Sequence, residues 1–230
     1  MISVIMPTYN ERGNILKLIE RTAKTLKKNF EIIVVDDSSP DGTGKLVKKL
    51  QKSRPYLRLI VRRERGLPEA IKMGIDEARG KKVAWLDCDL GMPPEKLPEM
   101  ISLLDNNDIV VASTFLRGAK DARKVIHAEF FSTIINLLAR IVLGGKITDY
   151  TSGFAAARKK ALENTRFAGT HGTYFMGMIY DALKNGKKVT EIPYTLEPRH
   201  YGQSKIAGFW PYFKTGLIYL KELVKIRLIY

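Results

Sequence analysis

Short apolar runs alternate with segments of helical apolar spacing over the first half of the chain. The runs lie at residues 2–6, 31–37, 57–62, 83–87 and 108–113 and predict five strands. Apolar residues at helical spacing predict helices within residues 15–26, 45–52, 69–79 and 95–104. Strands that are apolar throughout are buried on both faces. The pattern therefore predicts an α/β fold with a mainly parallel central sheet flanked by helices.

Ligands of such sheets bind beyond the carboxyl ends of the strands, and the ends predicted here are polar. The residues at these ends are Pro7, Tyr9 and Glu11 after the first strand, Asp36 and Asp37 on the second, and Asp87 and Asp89 on the fourth. Packing of Tyr9, a helix cap at Asn10 or a turn at Asp41 would explain single members structurally. No glycine-rich dinucleotide fingerprint or P-loop follows these strands. Their coincidence on one edge favours a nucleotide-type site.

The segment Asp87-Cys88-Asp89 carries the chemistry of this edge. Residues two apart in a strand point the same way, so Asp87 and Asp89 are expected to share a face. Two adjacent carboxylates repel unless a cation lies between them, and Mg²⁺ or Mn²⁺ prefers oxygen ligands. The structural alternative is that one aspartate caps the turn before Pro93 while the other faces water. The acids on neighbouring strand ends favour the metal.

The charge of the chain predicts an anionic partner. Its 230 residues carry a formal net charge of +15, which suits nucleic acid, a membrane surface or a phosphorylated substrate. A lysine-rich surface of the thermophile kind would also explain part of it. Aromatic residues are not interleaved with basic ones as in nucleic-acid modules, so we expect no nucleic-acid partner. The single Cys88 excludes an intramolecular disulfide and a cysteine-built zinc site.

Two apolar segments follow, at residues 127–143 and 208–230. The first is more apolar than one buried stripe requires, and the second mixes aromatic, aliphatic and basic residues. A packed terminal helix or a dimer helix would explain the second segment, and so would an amphipathic helix at a membrane interface. No secretory leader and no run of ~18 uninterrupted apolar residues is present. We therefore expect the chain to lie on a membrane rather than cross it.

Six motifs in collinear order carry a resemblance to a known family. They are SVIMPTYNE at residues 3–11, IIVVDDSSPDGT at 32–43, DCD at 87–89 with PPE at 93–95, DYTSGF at 149–154, EIP at 191–193 and RHYGQSK at 199–205. This set resembles the family 2 glycosyltransferases of GT-A fold, and among them the polyprenyl-phosphate sugar synthases. The resemblance covers residues 2–206 and implies a nucleotide-sugar-binding catalytic domain at 1–206 followed by an interfacial or packing helix at 207–230.

The resemblance implies a reaction and roles for single residues. The expected reaction is inverting transfer of a sugar, first of all mannose from GDP-mannose, to a polyprenyl or dolichyl phosphate. The implied nucleoside contacts are Pro7, Tyr9, Glu11, Asp36 and Asp37. Asp87 and Asp89 would hold Mg²⁺ or Mn²⁺ on the diphosphate, and Arg199, Ser204 and Lys205 would close over the phosphates. Because a phosphomonoester with a second pKa of ~6 is already ionised at neutral pH, we expect no essential general base.

The chain departs from the family pattern at three positions. Gly91 replaces a glutamine, Thr114 lies where an arginine is usual, and Gly177 replaces a carboxylate. Arg117, three residues after Thr114, would supply the missing contact only if the loop bends back. These departures leave open a UDP-glucose donor, a hydroxyl acceptor or a catalytically impaired regulatory homologue. We further expect peripheral attachment at the cytoplasmic face of the membrane, with a separate membrane subunit as a potential partner.

Overall fold

The computed structural model describes residues 1–123, 125–167, 169, 172–201 and 209–229. The elements follow in the order β1 (Ile2–Thr8), α1 (Ile15–Leu26), β2 (Phe30–Asp36), α2 (Thr43–Gln51), β3 (Leu57–Val61), α3 (Leu67–Asp76), β4 (Lys82–Trp85), α4 (Leu97–Leu103), β5 (Ile109–Ser113), β6 (Lys120–Asp121), α5 (Ile126–Leu143), β7 (Ala155–Arg158), α6 (Thr173–Lys184), β8 (Val189–Pro193), β9 (Thr195–Leu196) and α7 (Phe209–Ile229). Short 3₁₀ turns lie at Pro94–Lys96 and Lys159–Leu162.

Seven strands form the central sheet in the order β3-β2-β1-β4-β7-β5-β8. The pairs β1–β2, β1–β4, β2–β3 and β5–β8 are parallel, whereas β7 runs antiparallel to both β4 and β5. The predicted α/β fold with a mainly parallel sheet is thus confirmed. The sequence patterns did not predict β7, because a strand of three alanines and an arginine has no long apolar run.

Both faces of the sheet are buried, as the continuous apolar strands predicted. Alternate residues of each strand enter opposite clusters: Ile5 packs with α3, α6 and α7, and Val4 and Met6 pack with α1, α2 and α4. Burial on both faces fixes the strand register, because a slip by one residue would exchange every apolar contact. The edge that carries the strand ends is held at a defined position by this core.

Helices α5 and α7 pack against each other and present apolar side chains outward. The exposed residues of α5 are Ile126, Phe130, Ile134, Leu137 and Ile141, and those of α7 include Trp210, Phe213, Leu217, Leu220, Val224 and Leu228. Both sets recur every three or four residues, so each forms one stripe along its helix. We call these two stripes the outer apolar face. On the other side of α7, Leu223 and Ile226 are buried in the core.

Helix α5 is long and apolar enough to cross a membrane by length and composition. The sequence prediction considered uninterrupted apolar runs and therefore passed over this helix, which contains polar residues. Core helices of soluble proteins also pass this test of length and composition. The expected domain boundary between residues 206 and 207 lies outside the described residues.

Candidate active site

One cavity of about 1140 Å³ opens at the carboxyl ends of the central strands. Seven residues predicted from the sequence line it, namely Pro7, Tyr9, Glu11, Asp37, Asp87, Asp89 and Arg199. Asp36 and Arg117 are not among its lining residues. Ser204 and Lys205 lie outside the described residues. The sheet therefore brings together residues that are up to 192 positions apart, from Pro7 to Arg199.

The two acids of the Asp87-Cys88-Asp89 segment face this cavity, but for a different reason from the one predicted. Strand β4 ends at Trp85, so Asp87 and Asp89 do not share a strand face, and that part of the prediction is wrong. Instead, Cys88 is buried in the core and its two neighbours turn outward. The backbone N–H of Gly91 donates to the Asp89 carboxylate at 2.9 Å, and Leu90 adopts a left-handed φ of 69°.

Three carboxylates of the cavity wall affect the buried thiol of Cys88. Burial raises the pKa of Cys88, and the negative charges of Glu11, Asp87 and Asp89 raise it further. Asp87 and Asp89 flank Cys88 in the loop after β4, Glu11 comes from the loop after β1, and all three line the cavity. Such a group needs a compensating positive charge.

Arg199 supplies part of that positive charge. Its guanidinium donates to Glu11 Oε1 at 2.9 Å and lies 3.5 Å from Asp89 Oδ2. Glu11 also accepts a hydrogen bond from Asn14 Nδ2 at 2.8 Å, which orients its carboxylate. Arg199 thus joins the loop after β1 to the loop after β4. A planar guanidinium at this position is suited to bind two phosphate oxygens at once.

The loop after β2 forms the part of the cavity expected to hold a nucleoside. Asp37 accepts from Arg62 at 2.9 Å and from the backbone N–H of Gly66 at 2.9 Å. Burial raises the pKa of Asp37, against the lowering effect of these two donors. The guanidinium of Arg65 lies 3.7 Å from the ring centroid of Tyr9, a cation–π contact. An aromatic face beside a hydrogen-bonding carboxylate is suited to a base and a ribose.

Asp36 differs from Asp37, since the structure does not bring it to the cavity wall. Its carboxylate is buried and accepts from the hydroxyl of Thr8 at 3.0 Å and from the hydroxyl and backbone N–H of Ser39. A Cβ on Gly44 would approach Asp36 Oδ2 to 2.8 Å, so the neighbouring helix start packs closely on it. The geometry of Asp36 indicates that it holds the loop rather than a ligand.

A buried polar network lies at the β5 side of the cavity, where the sequence analysis had noted Thr114. Thr114 donates to Asp149 through its backbone N–H at 3.1 Å and its hydroxyl at 3.2 Å. Burial raises the pKa of Asp149, although donors from Thr114 and Thr151 lower it. Glu191 in β8 accepts from the backbone N–H of Asp149 at 2.9 Å. The DYTSGF and EIP motifs therefore meet at this network. Arg117 is exposed and is not among the lining residues, although Leu116 and Ala119 on either side of it are, so the structure does not place its side chain on the cavity wall.

Several lining residues were missed by the sequence analysis. Arg65, Asp121, Arg123, Glu129 and Glu197 lie in loops, in the two-residue strand β6 or at the start of α5, where no apolar pattern marks them. Arg123 and Arg199 are linked by a small two-stranded sheet in which β6 pairs with β9. The backbone N–H of Ala122 donates to the carbonyl of Leu196 at 2.8 Å. Only the fold reveals this pairing, because the two strands are far apart in sequence.

The charges of the cavity fit a bound cation. Among the described residues, its carboxylates are Glu11, Asp37, Asp87, Asp89, Asp121, Glu129, Asp149 and Glu197, and its cationic side chains are Arg65, Arg123 and Arg199. An anionic diphosphate would be repelled by this excess of acids without a cation. No group of three or more metal-ligating side chains is found in the described part of the chain. Asp87 and Asp89 thus fit as two oxygen ligands of a Mg²⁺ or Mn²⁺ whose other ligands come from a diphosphate.

A cavity at the carboxyl ends of a mainly parallel sheet is the position at which α/β proteins of this class bind their ligands. The profile of glycosyl transferase family 2 matches residues 3–166. Similar relatives include the dolichol-phosphate mannosyltransferase of Pyrococcus furiosus, 34% identical over 98% of this chain and 63% of the relative. Another is the polyprenol monophosphomannose synthase of Mycolicibacterium smegmatis, 31% identical over 89% of this chain and 80% of the relative. The chain belongs to glycosyl transferase family 2.

The same fold is present in solved structures. Glucosyl-3-phosphoglycerate synthase from Mycobacterium tuberculosis, in complex with Mn²⁺, UDP and phosphoglyceric acid, matches with a TM-score of 0.71. The match covers 99% of this chain and 78% of that chain at 19% sequence identity. This likeness confirms the GT-A fold predicted from the sequence. The chain spans about 63% of the length of the Pyrococcus relative.

Proposed function

We propose that this chain transfers mannose from GDP-mannose to the phosphate of a polyprenol such as dolichol. One observation carries the proposal: the cavity with the paired acids Asp87 and Asp89 continues into a groove on the apolar helix α5. The groove has a volume of about 300 Å³ and is lined by Ile126, Glu129, Phe130, Thr133 and Ile134. Glu129 and Thr133 also line the cavity. The names of the relatives support mannose as the sugar and a polyprenyl phosphate as the acceptor.

The strand ends supply the donor site in this proposal. Tyr9 and Asp37 would contact the nucleoside, and the diphosphate would lie at Asp87 and Asp89. A Mg²⁺ or Mn²⁺ held by these two carboxylates would neutralise the charge that develops on the leaving diphosphate. Arg199 lies next to both loops and would bind phosphate oxygens with its planar fork. Ser204 and Lys205 are proposed to close over the phosphates from the segment that follows Arg199.

The transfer step itself needs little from the protein beyond positioning. An oxygen of the acceptor phosphate forms a bond to the anomeric carbon on the face opposite the leaving group. The bond from that carbon to the diphosphate oxygen breaks, and its electron pair leaves with the nucleoside diphosphate. The configuration at the carbon is inverted. Because the acceptor phosphate is already ionised near neutral pH, no side chain has to remove a proton.

The outer apolar face supports a peripheral position on a membrane. Its two stripes expose large apolar side chains, and Lys214, Lys221 and Lys225 on α7 are exposed beside them. Apolar side chains bury into the interface, and lysines favour the anionic cytoplasmic leaflet. In this arrangement the polyprenol chain would stay in the membrane while its phosphate enters the cavity along the α5 groove. A separate membrane subunit would bind the same face.

The reaction is tested by incubating purified protein and Mn²⁺ or Mg²⁺ with radiolabelled GDP- and UDP-sugars and a polyprenyl phosphate. We expect label from GDP-mannose in the organic phase, and loss of that label in Asp89→Asn. Asp76→Asn is the matched control, since Asp76 is an exposed carboxylate on α3 paired with Lys72. Transfer from a UDP-sugar and not from GDP-mannose would show that the proposed donor is wrong. No lipid-linked label from any donor, while the Pyrococcus relative works in parallel, would overturn the proposal.

A further inference from the structure

The side of the cavity next to α5 carries a neutral residue, Thr114, where an arginine is usual. Thr114 is neutral and is hydrogen-bonded to Asp149. Arg117 is exposed and is not among the lining residues. The carboxylates Asp121, Glu129 and Asp149 line this side and would repel a phosphate dianion. Some other cation of the chain must therefore bind the acceptor if the proposed reaction is correct.

The three arginines of the cavity are at different positions along it. Arg65 lies on the ring of Tyr9, after β3, at the nucleoside end. Arg199 bridges Glu11 and Asp89 beside the paired acids. Arg123 follows β6 and lies just before α5, the helix that carries the apolar groove. Among the described cavity residues, Arg123 is thus the cation on the acceptor side.

We propose that Arg123 binds the phosphate of the acceptor lipid, an inference that rests on the proposed function and deepens it. Both carboxylate oxygens of Asp121 accept hydrogen bonds from the guanidinium of Arg123. Its Nε donates to Asp121 Oδ1 at 2.9 Å and its NH2 to Asp121 Oδ2 at 2.6 Å. Asp121 also accepts from the backbone N–H of Arg123 at 3.0 Å. The side chain is therefore oriented before any ligand binds, which lowers the entropic cost of binding.

The small sheet fixes Arg123 relative to the donor site. Asp121 pairs with Leu196 across β6 and β9, and Arg199 follows Leu196 by three residues. Arg123, proposed for the acceptor, and Arg199, proposed for the donor, thus follow two strands that pair with each other. The charges around Tyr194 agree with this position: burial raises the pKa of its phenol, Asp149 and Asp87 raise it further, and Arg123 lowers it. Tyr194 and Arg123 both line the cavity.

The experiment measures acceptor binding and transfer separately, so that the inference and the proposed function fail in different ways. Citronellyl phosphate, a short prenyl monophosphate, is titrated into the protein with Mn²⁺ and GDP, and neutral citronellol serves as the uncharged comparison. In parallel, the KM for polyprenyl phosphate is measured with GDP-mannose. The variants are Arg123→Gln, Arg123→Lys and Arg117→Gln. Arg21→Gln is the matched control, because Arg21 also donates to both carboxylate oxygens of one residue, Glu95, and lies away from the cavity.

We expect Arg123→Gln to weaken binding of citronellyl phosphate and to raise the acceptor KM by about tenfold or more, since charge-assisted hydrogen bonds are strong. GDP affinity and citronellol binding should not change. Arg123→Lys should restore part of the binding, because it keeps the charge but loses the fork. Unchanged acceptor binding in Arg123→Gln, or an equal loss in Arg117→Gln, would overturn the inference. Binding of citronellyl phosphate that depends on Arg123, without any transfer, would overturn the proposed reaction alone.

Discussion

Arg199 is expected to compete with the metal for Asp89, and this competition has a measurable consequence. The Arg199 guanidinium is 3.5 Å from Asp89 Oδ2 and 2.9 Å from Glu11 Oε1. Replacing it with glutamine removes the positive charge while the carboxylates of Glu11, Asp87 and Asp89 remain. We therefore predict that Arg199→Gln binds Mn²⁺ alone more tightly and binds GDP with Mn²⁺ more weakly.

The magnitude follows from the distance and the exposure of the pair. Two unit charges 3.5 Å apart interact by ~5 kcal/mol at an effective dielectric constant of ~20. The side chains of Arg199 and Asp89 are 24% and 26% exposed, so solvent screens much of this energy. We take ~1 kcal/mol as the remaining effect, which corresponds to about fivefold tighter binding of Mn²⁺.

Calorimetric titration with Mn²⁺, first alone and then with saturating GDP, measures both effects. Arg21→Gln is the control again, since it removes an arginine paired with a carboxylate outside the cavity. We expect Arg199→Gln to bind Mn²⁺ alone more tightly than the unchanged protein does, and to bind GDP with Mn²⁺ more weakly. Unchanged or weaker binding of Mn²⁺ alone would refute the reasoning, because it would show that Arg199 does not hold a metal-ligand carboxylate in the free protein.

Three further predictions concern stability and the membrane. Glu31 is buried, and although burial alone would raise its pKa, hydrogen bonds from Ser3, Arg79 and Arg58 lower the pKa below its ordinary value of 4.5. The stability from Glu31 is therefore present above pH ~4.5 and is lost as the pH falls through the lowered pKa. Urea denaturation should show Glu31→Gln destabilised at pH 7 and the difference shrinking toward pH 3, whereas exposed Glu77→Gln changes little; a pH-independent loss would contradict this. A Cβ at Gly74 would lie 2.5 Å from Ile5 Cγ2, so Gly74→Val should cost ~1–3 kcal/mol in the same assay. Gly145→Val, at an open position, should have a smaller effect, and equal losses would refute the packing argument. Leu217→Glu with Leu228→Glu should reduce flotation with anionic vesicles, and exposed Met73→Glu on α3 should not; equal flotation of all variants would exclude α7 from the contact.

The sequence predicted the site at the strand ends in part. Tyr9, Glu11, Asp37 and Asp89 were predicted as site residues because polar side chains end neighbouring strands at one edge and because their motifs resemble a known family, and the structure places all four on the cavity wall. Asp36 is adjacent to Asp37 and has the same chemistry, yet it turns inward to Thr8 and Ser39. Alternation along the strand is visible in the sequence, but which side of the strand end faces a ligand depends on the packing of α2.

The sequence by itself determined the mainly parallel α/β fold and the elements of its first half, because apolar periodicity is a local property that burial on both faces demands. Tertiary structure alone decided what the second half contributes. The strand β7 enters between β4 and β5, the pairing of β6 with β9 joins the segments that lead to Arg123 and Arg199, and the hydroxyl of Thr114 donates to Asp149. These contacts join residues that are distant along the chain, and no pattern of neighbouring residues encodes them. Local periodicity fixes the elements, whereas the charge balance of a cavity exists only once the elements have packed.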